Sequence, residues 1–229
     1  PVPLYHCFGM VMGVLGAVSK GAAMVFPGEV FDAKETLDVV ANEKCTALYG
    51  VPTMFIAMLQ DLDLKTRDLS KMRTGILAGT TCPVEVMKKV NEQMNMKEVT
   101  ICYGMTETAP VSFQSFVDAP VEKRCETVGR VHPHLEVKII DEKGQIVPVG
   151  SQGELCTKGY SVMKGYWNDL ERTQASISDG WMHTGDLAVF DQEGFCTITG
   201  RLSPSFPKNC GKNTHLAPSD SDNKPLDSS

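Results

Sequence analysis

VTICYGMTET, Val99–Thr108, decides how the rest of the chain is read. Its first half is a largely apolar run of strand length, broken only by Thr100, the pattern of a strand buried on both faces. Its second half delivers a tyrosine, a glycine, two threonines and a glutamate to the point where that strand ends. The same grammar stands upstream. TGILAG, Thr74–Gly79, reads as a short strand, TTCP as a turn, and Pro83 then begins a helix with Val86, Val90 and Met94 at i, i+4, i+8. Earlier still, CTALYG is a buried strand, and Pro52 suits the first turn of a helix through TMFIAMLQ. Asp32 followed by Glu35 resembles a capping box opening a helix that carries Leu37, Val40 and Ala41. Strands alternating with helices in units of about thirty residues predict an α/β fold with a mostly parallel, helix-covered sheet.

From Thr127 the pattern changes. LEVKIID, QIVPVG, GELCTKG and FCTITG are short strands separated by glycine or proline, and a β-rich, barrel-like subdomain is expected. The expected division is 1–126 for the α/β part, 127–201 for the β-rich part and 202–229 for a tail. That tail is rich in proline and serine and poor in large apolar residues, so it is expected to be loose. The chain begins at Pro1 with no targeting segment, and its start reads as truncated. Cys7–Ser19 is the longest uncharged run. It is too short and glycine-rich to span a bilayer, which takes roughly 20 apolar residues. It predicts a buried helix whose Gly9, Gly13 and Ala17 permit close packing.

With 229 residues, 42% of them hydrophobic, the chain has the makings of a globular core. A net charge of -6 argues against nucleic acid or an anionic membrane as the main partner. Eight cysteines without a C-x-x-C pair suggest free thiols in a reducing compartment.

Ligands of parallel α/β sheets bind beyond the carboxyl ends of the strands, where the loops after TGILA and VTICY would face one ligand. Gly79 permits close backbone approach, Thr80 and Thr81 offer hydroxyls, and Tyr103 offers a flat face for a base. Thr106 can bond a phosphate, and Glu107 is a hard oxygen ligand suited to Mg2+. The competing account makes Tyr103 core, Thr106 a turn cap and Glu107 a solvated charge. His132 and His134 have H-x-H spacing that would share a strand face, but no third metal ligand is evident. Cys7, Cys82 and Cys102 lie near the expected cleft without a base beside them in sequence.

Three companions tip the balance: GELCTKGYSVMKGYW at Gly153–Trp167, WMHTGDLAVFDQEGF at Trp181–Phe195, and ITGR ending at Arg201. The order of YGMTE, TGD and GR resembles the adenylate-forming, or AMP-binding, superfamily of acyl-CoA synthetases, luciferases and peptide-synthetase adenylation domains. The resemblance covers Pro1–Arg201, about the second half of that family's large N-terminal domain. PLYHCFG, LYGVPTMF and GYSVMKGYW are most similar to the mitochondrial medium-chain acyl-CoA ligases within it.

The resemblance implies ATP-dependent activation of a medium-chain fatty acid to acyl-AMP and then acyl-CoA, with ATP, Mg2+ and coenzyme A taking part. It places Gly79, Thr80 and Tyr103 around the adenine, Gly104 among the nucleotide-binding residues, Thr106 at the α-phosphate and Glu107 on Mg2+. Asp186 and Arg201 would hold the ribose, and His6 would stand near the acyl carboxylate unless it is a satisfied structural histidine. Tyr49–Pro52 either border the acyl tunnel or pack the core. It also implies a soluble matrix protein with small-molecule partners, no nucleic acid and no membrane span.

Two family features are missing from the sequence. One is the upstream phosphate loop ending in lysine; the other is the small C-terminal domain with its catalytic lysine. Lys208 and Lys212 stand in unrelated surroundings. The chain as written is therefore expected to have little or no ligase activity. A non-catalytic adenosine- or acyl-binding form, and an adenylating enzyme for another carboxylic acid, stand as the alternatives.

Overall fold

The computed structural model describes residues 1–80 and 82–202; Thr81, Lys208, Lys212 and the expected loose tail from Ser203 onward lie outside the described residues. The chain opens with a π-type helical segment, Phe8–Leu15, continuing into α1, Gly16–Ser19. This stretch departs from the expected buried helix. Phe8 and Gly9 are buried, but Leu15 is 54% and Val18 62% exposed, because only the first turn meets the sheet. Gly9 does serve close packing: a Cβ there would lie 2.2 Å from the Pro3 carbonyl oxygen.

The alternating elements follow in the expected order. They are α2 (Ala33–Asn42), β1 (Ala47–Gly50), α3 (Pro52–Leu59), β2 (Thr74–Ala78), α4 (Val84–Gln93) and β3 (Glu98–Gly104). Asp32 caps α2, its side chain accepting from the Glu35 N–H at 2.8 Å, and Pro52 occupies the first turn of α3. Strands β1, β2 and β3 pair in parallel. Leu37 and Val40 of α2, Phe55 and Met58 of α3, and Met87 and Val90 of α4 bury against Leu48, Leu77, Val99 and Ile101. On α4 Met87 and Val90 are fully buried, while Val86 is half-buried: the helix turns a Met87–Val90–Met94 stripe to the sheet.

β3 then reverses into β4 (Val111–Gln114), and after α5 (Val121–Glu126) comes β5 (Arg130–Val131); these strands extend the first sheet antiparallel, in the order β1-β2-β3-β4-β5. The second sheet is antiparallel throughout. It runs β10 (Cys196–Arg201), β9 (Trp181–Phe190), β7 (Gly153–Gly159), β6 (Leu135–Ile140), with β8 (Ile177–Ser178) also on β9. QIVPVG forms no strand. Only Ile146 bridges to Ile140, since Pro148 has no N–H to continue a ladder. One helix, α6 (Leu170–Ser176), interrupts the β-rich part, capped by Asp169 accepting from the Arg172 N–H at 2.9 Å.

His132 and His134 do not share a strand face. His132 lies beyond β5, its Nε2 3.1 Å from Gln114 Oε1, and His134 sits in the following turn at φ +65°. The seven cysteines among the described residues form no disulfide. Among the described residues no helix is long and apolar enough to cross a membrane.

Candidate active site

The carboxyl ends of β2 and β3, the β9–β10 edge and the segment before the π-type helix enclose a cleft of about 870 Å³. Nine of the residues singled out in the sequence line it: His6 from the N-terminal segment, Gly79 and Thr80 after β2, Tyr103 and Gly104 at the end of β3, Thr106 and Glu107 in the next turn, Asp186 on β9 and Arg201 on β10. Tyr49–Pro52 do not line this cleft. Tyr49 stacks on Phe8 with ring centroids 6.1 Å apart, which is a packing role.

Gly104 marks an irregularity between β3 and β4, where Tyr103 faces Phe113 but Gly104 faces Val111. The approach is so close that a Cβ on Gly104 would lie 1.6 Å from the Pro110 carbonyl oxygen. Below it Thr108, not Thr106, secures the turn: its hydroxyl accepts from the Met105 N–H at 3.1 Å. Thr106 keeps an exposed hydroxyl 3.5 Å from the Cys7 sulfur. The Glu107 carboxylate accepts from the Tyr166 hydroxyl at 2.8 Å through Oε1. Among the described residues no basic side chain pairs with it within salt-bridge distance.

Asp186 is the electrostatic centre of the far wall. Its side chain is 8% exposed; Oδ2 accepts from the Tyr103 hydroxyl at 2.5 Å, and Oδ1 lies 2.9 Å from Arg201 Nε. Register brings the pair together, because Arg201 stands opposite Asp186 in the β10–β9 ladder. Arg201 is 60% exposed and lines the cleft. Burial, and next the Asp186 carboxylate, push the Tyr103 phenol well above its ordinary pKa, so its hydroxyl stays a donor.

The strand carrying Asp186 bulges. Glu154 faces Leu187 and Cys156 faces His183, so Thr184, Gly185 and Asp186 stand against Leu155 alone. Gly185 takes φ +72°, a conformation that costs a Cβ-bearing residue strain. His6 is exposed, and its Nδ1 accepts from the Phe8 N–H at 3.0 Å, which places the proton of the neutral ring on Nε2.

The model of a family described as AMP-binding enzyme matches residues 1–167. The chain belongs to the AMP-binding enzyme family. A putative acyl-CoA synthetase of Bacillus subtilis is 55% identical to it over 204 residues, covering 88% of this chain and 37% of that protein. A mitochondrial medium-chain acyl-CoA ligase of Danio rerio is 47% identical over 204 residues, covering 88% and 34%. The solved structure of O-succinylbenzoate coenzyme A synthetase from Bacillus subtilis, in complex with AMP, superposes with a TM-score of 0.77 at 28% identity, covering 89% of this chain and 40% of that one. The chain thus spans about a third of the length of the curated relatives it matches.

Within this chain of the AMP-binding enzyme family, several residues that contact the cleft-lining segments from behind carry no motif signal. Tyr166 reaches Glu107 from 59 positions away, and no local pattern announces that contact. Glu154 and His183 were legible only as polar residues set among apolar strand positions, in GELC and WMHTGD. They form, with Cys156, a buried cluster whose donor atoms lie within 4.8 Å of one another, as a metal site would require. Yet Glu154 already commits both oxygens, one to His183 Nδ1 at 3.0 Å and one to the Gly185 N–H at 3.2 Å. That bonding is a strut's. Two of the thiols near the cleft are poor nucleophiles: burial pushes Cys102 up to about 12, and a hydrogen bond with Cys125 followed by burial raises Cys82.

Proposed function

We propose that the protein to which this chain corresponds is an ATP-dependent acyl-CoA ligase for medium-chain fatty acids, and that residues 79–201 carry its adenosine side. The observation that carries the reading is the Tyr103–Asp186–Arg201 contact set, which joins two strand ends of different sheets around one buried carboxylate. A carboxylate has about four lone-pair sites, so two remain beside Tyr103 and Arg201 to accept from the ribose hydroxyls. The Tyr103 ring gives the base a flat face, with Gly79, Thr80 and Gly104 as its backbone frame. Arg201 adds a donor to the same ribose region.

In the reaction the fatty acid carboxylate attacks the α-phosphorus of ATP, pyrophosphate leaves, and the thiol of coenzyme A then displaces AMP from the acyl-adenylate. The chain's own groups position and orient, and neutralise charge. Thr106 donates its hydroxyl to the α-phosphate, and His6 stands where the acyl carboxylate would enter. Glu107 and the neighbouring Thr106 hydroxyl are hard oxygen donors at the cleft wall, a set that fits Mg2+, which takes one or two carboxylates together with substrate phosphates. Bound there, Mg2+ would supply neutralisation of phosphate charge. The medium-chain preference and a mitochondrial setting are supported by the Danio rerio relative's name.

The chain by itself is proposed to bind adenosine nucleotides with little turnover. Calorimetric titration with AMP, beside ATP–pyrophosphate exchange with octanoate, tests this: saturable AMP binding and negligible exchange are expected. Robust exchange by the chain alone would overturn its inactivity, and absence of AMP binding would overturn the site assignment. Running succinylbenzoate and an amino acid beside octanoate in the complete protein separates the fatty acid reading from another adenylated acid.

A further inference from the structure

The Thr184–Asp186 bulge is held from below by a set of buried polar groups that the reaction does not use. Glu154 Oε1 accepts from the Gly185 N–H at 3.2 Å, and Glu154 Oε2 lies 3.0 Å from His183 Nδ1. Thr184 donates its hydroxyl to the Leu155 carbonyl at 2.7 Å while accepting from the Asp186 N–H at 3.1 Å. Glu154, His183 and Thr184 are all buried. A buried carboxylate is costly unless it is fully hydrogen-bonded, and here both oxygens of Glu154 meet residues of one three-residue-long irregularity and its flank. Antiparallel ladders need no such support where they are regular. The polar groups collect at the single place where β7 and β9 lose register, which is also where the chain must turn the Asp186 side chain towards Tyr103 and Arg201.

We infer that Glu154, acting with Thr184, is a positioning residue for Asp186: it fixes the bulge and thereby the direction in which the Asp186 carboxylate meets the ribose. The inference rests on the proposed role of Asp186 as ribose acceptor. Glu154 touches no substrate. It acts through the Gly185 N–H, and without that acceptor the bulge is free to rotate the peptide preceding Asp186. His183 holds the other oxygen and so fixes the carboxylate's own orientation.

The test compares AMP with 2′,3′-dideoxy-AMP, which lacks both ribose hydroxyls, by calorimetric titration of the 229-residue chain. Wild type is expected to prefer AMP by roughly tenfold or more, the effect of hydrogen bonds to a charged acceptor. Glu154→Met, which fills the volume but removes both acceptors, is expected to bring that preference to within about twofold of unity while changing dideoxy-AMP affinity by less than about twofold. Thermal melting and circular dichroism establish that the variant is folded. If Glu154→Met does not fold, Thr184→Val bears the same test, since it removes the hydroxyl's bonds to the Leu155 carbonyl and the Asp186 N–H at nearly constant volume. A folded variant that keeps the wild-type preference, or that loses both nucleotides equally as a merely structural change would, overturns the inference. A wild-type chain that binds the two nucleotides alike, or an Asp186→Ala variant with an unchanged preference, instead overturns the ribose role of Asp186 and the inference with it.

Discussion

Asp186 shows how much a single side chain depends on neighbours distant in sequence. Tyr103, 83 positions away, donates to it at 2.5 Å, and Arg201 meets it at 2.9 Å. Tyr103→Phe keeps the ring and its face but removes the donor from a largely buried charge. A hydrogen bond to a charged group contributes about 1.5–3 kcal/mol, so the variant is expected to lose roughly that much in urea unfolding. AMP affinity should fall as well, since Asp186 would then be held on one side only. A variant as stable as wild type would mean that water or Arg201 replaces the phenol. At this scale the residues of YGMTE, TGD and GR were legible, because each motif puts a polar group at the end of an apolar strand. Glu154, His183 and Tyr166 were not legible as site residues. Their importance lies in pairings across strands or between loops, which a one-dimensional pattern does not encode.

Two glycines at strand irregularities separate sterics from backbone conformation at the scale of elements. At Gly104 a Cβ would lie 1.6 Å from a backbone oxygen of Pro110, so Gly104→Ala must push β3 and β4 apart. A loss of about 3 kcal/mol is expected, the upper end of the usual overpacking range, because the clash is with backbone. At Gly185 nothing lies within 4 Å of the same atom, and only φ +72° resists substitution. Gly185→Ala is expected to cost about 1–2 kcal/mol. Melting temperatures of the two variants in one buffer check the ordering; equal shifts would show that β3 and β4 re-pair without Gly104. The elements themselves were legible where caps and periodicity agree, as at Asp32, Pro52 and Pro83. They were misread where apolar composition stood in for burial. Phe8–Ser19 is apolar yet mostly only half-buried, and Ile146–Val149 is apolar but has Pro148 inside it. Reading the later chain as short strands left out α6, although Asp169 caps it and Glu171 stands in its first turn.

On the scale of the whole molecule, the cleft exists because two sheets share a core. Fully buried Phe113 of β4 packs its ring 6.0 Å from Tyr103 in its own sheet and 6.0 Å from Phe190 of β9, within a cluster that also holds Ile139, Leu155, Ala188 and Cys196. Backbone bonds tie the same seam: the Val128 N–H donates to Cys196 O at 2.8 Å, and the Cys196 N–H to Gly129 O at 2.9 Å. A second, β-rich part was legible in the short strands of the later chain, although β5 still belongs to the first sheet, and the shared core was not, because alternation reports which face of a strand is apolar and not what that face meets. Phe113→Ala should therefore do more than destabilise. A loss of about 3–5 kcal/mol is expected for such a truncation, and the walls bearing Tyr103 and Asp186 should loosen against each other. Met87→Ala, in the core of the first sheet alone, is the control: about 2–5 kcal/mol lost, with AMP affinity of the folded protein unchanged. Calorimetric melting followed by AMP titration well below each midpoint distinguishes them. Weakened AMP binding in the Phe113 variant alone would locate the coupling in the inter-sheet core, whereas unchanged binding in both would mean that the Tyr103–Asp186–Arg201 contacts and the backbone seam hold the cleft without it.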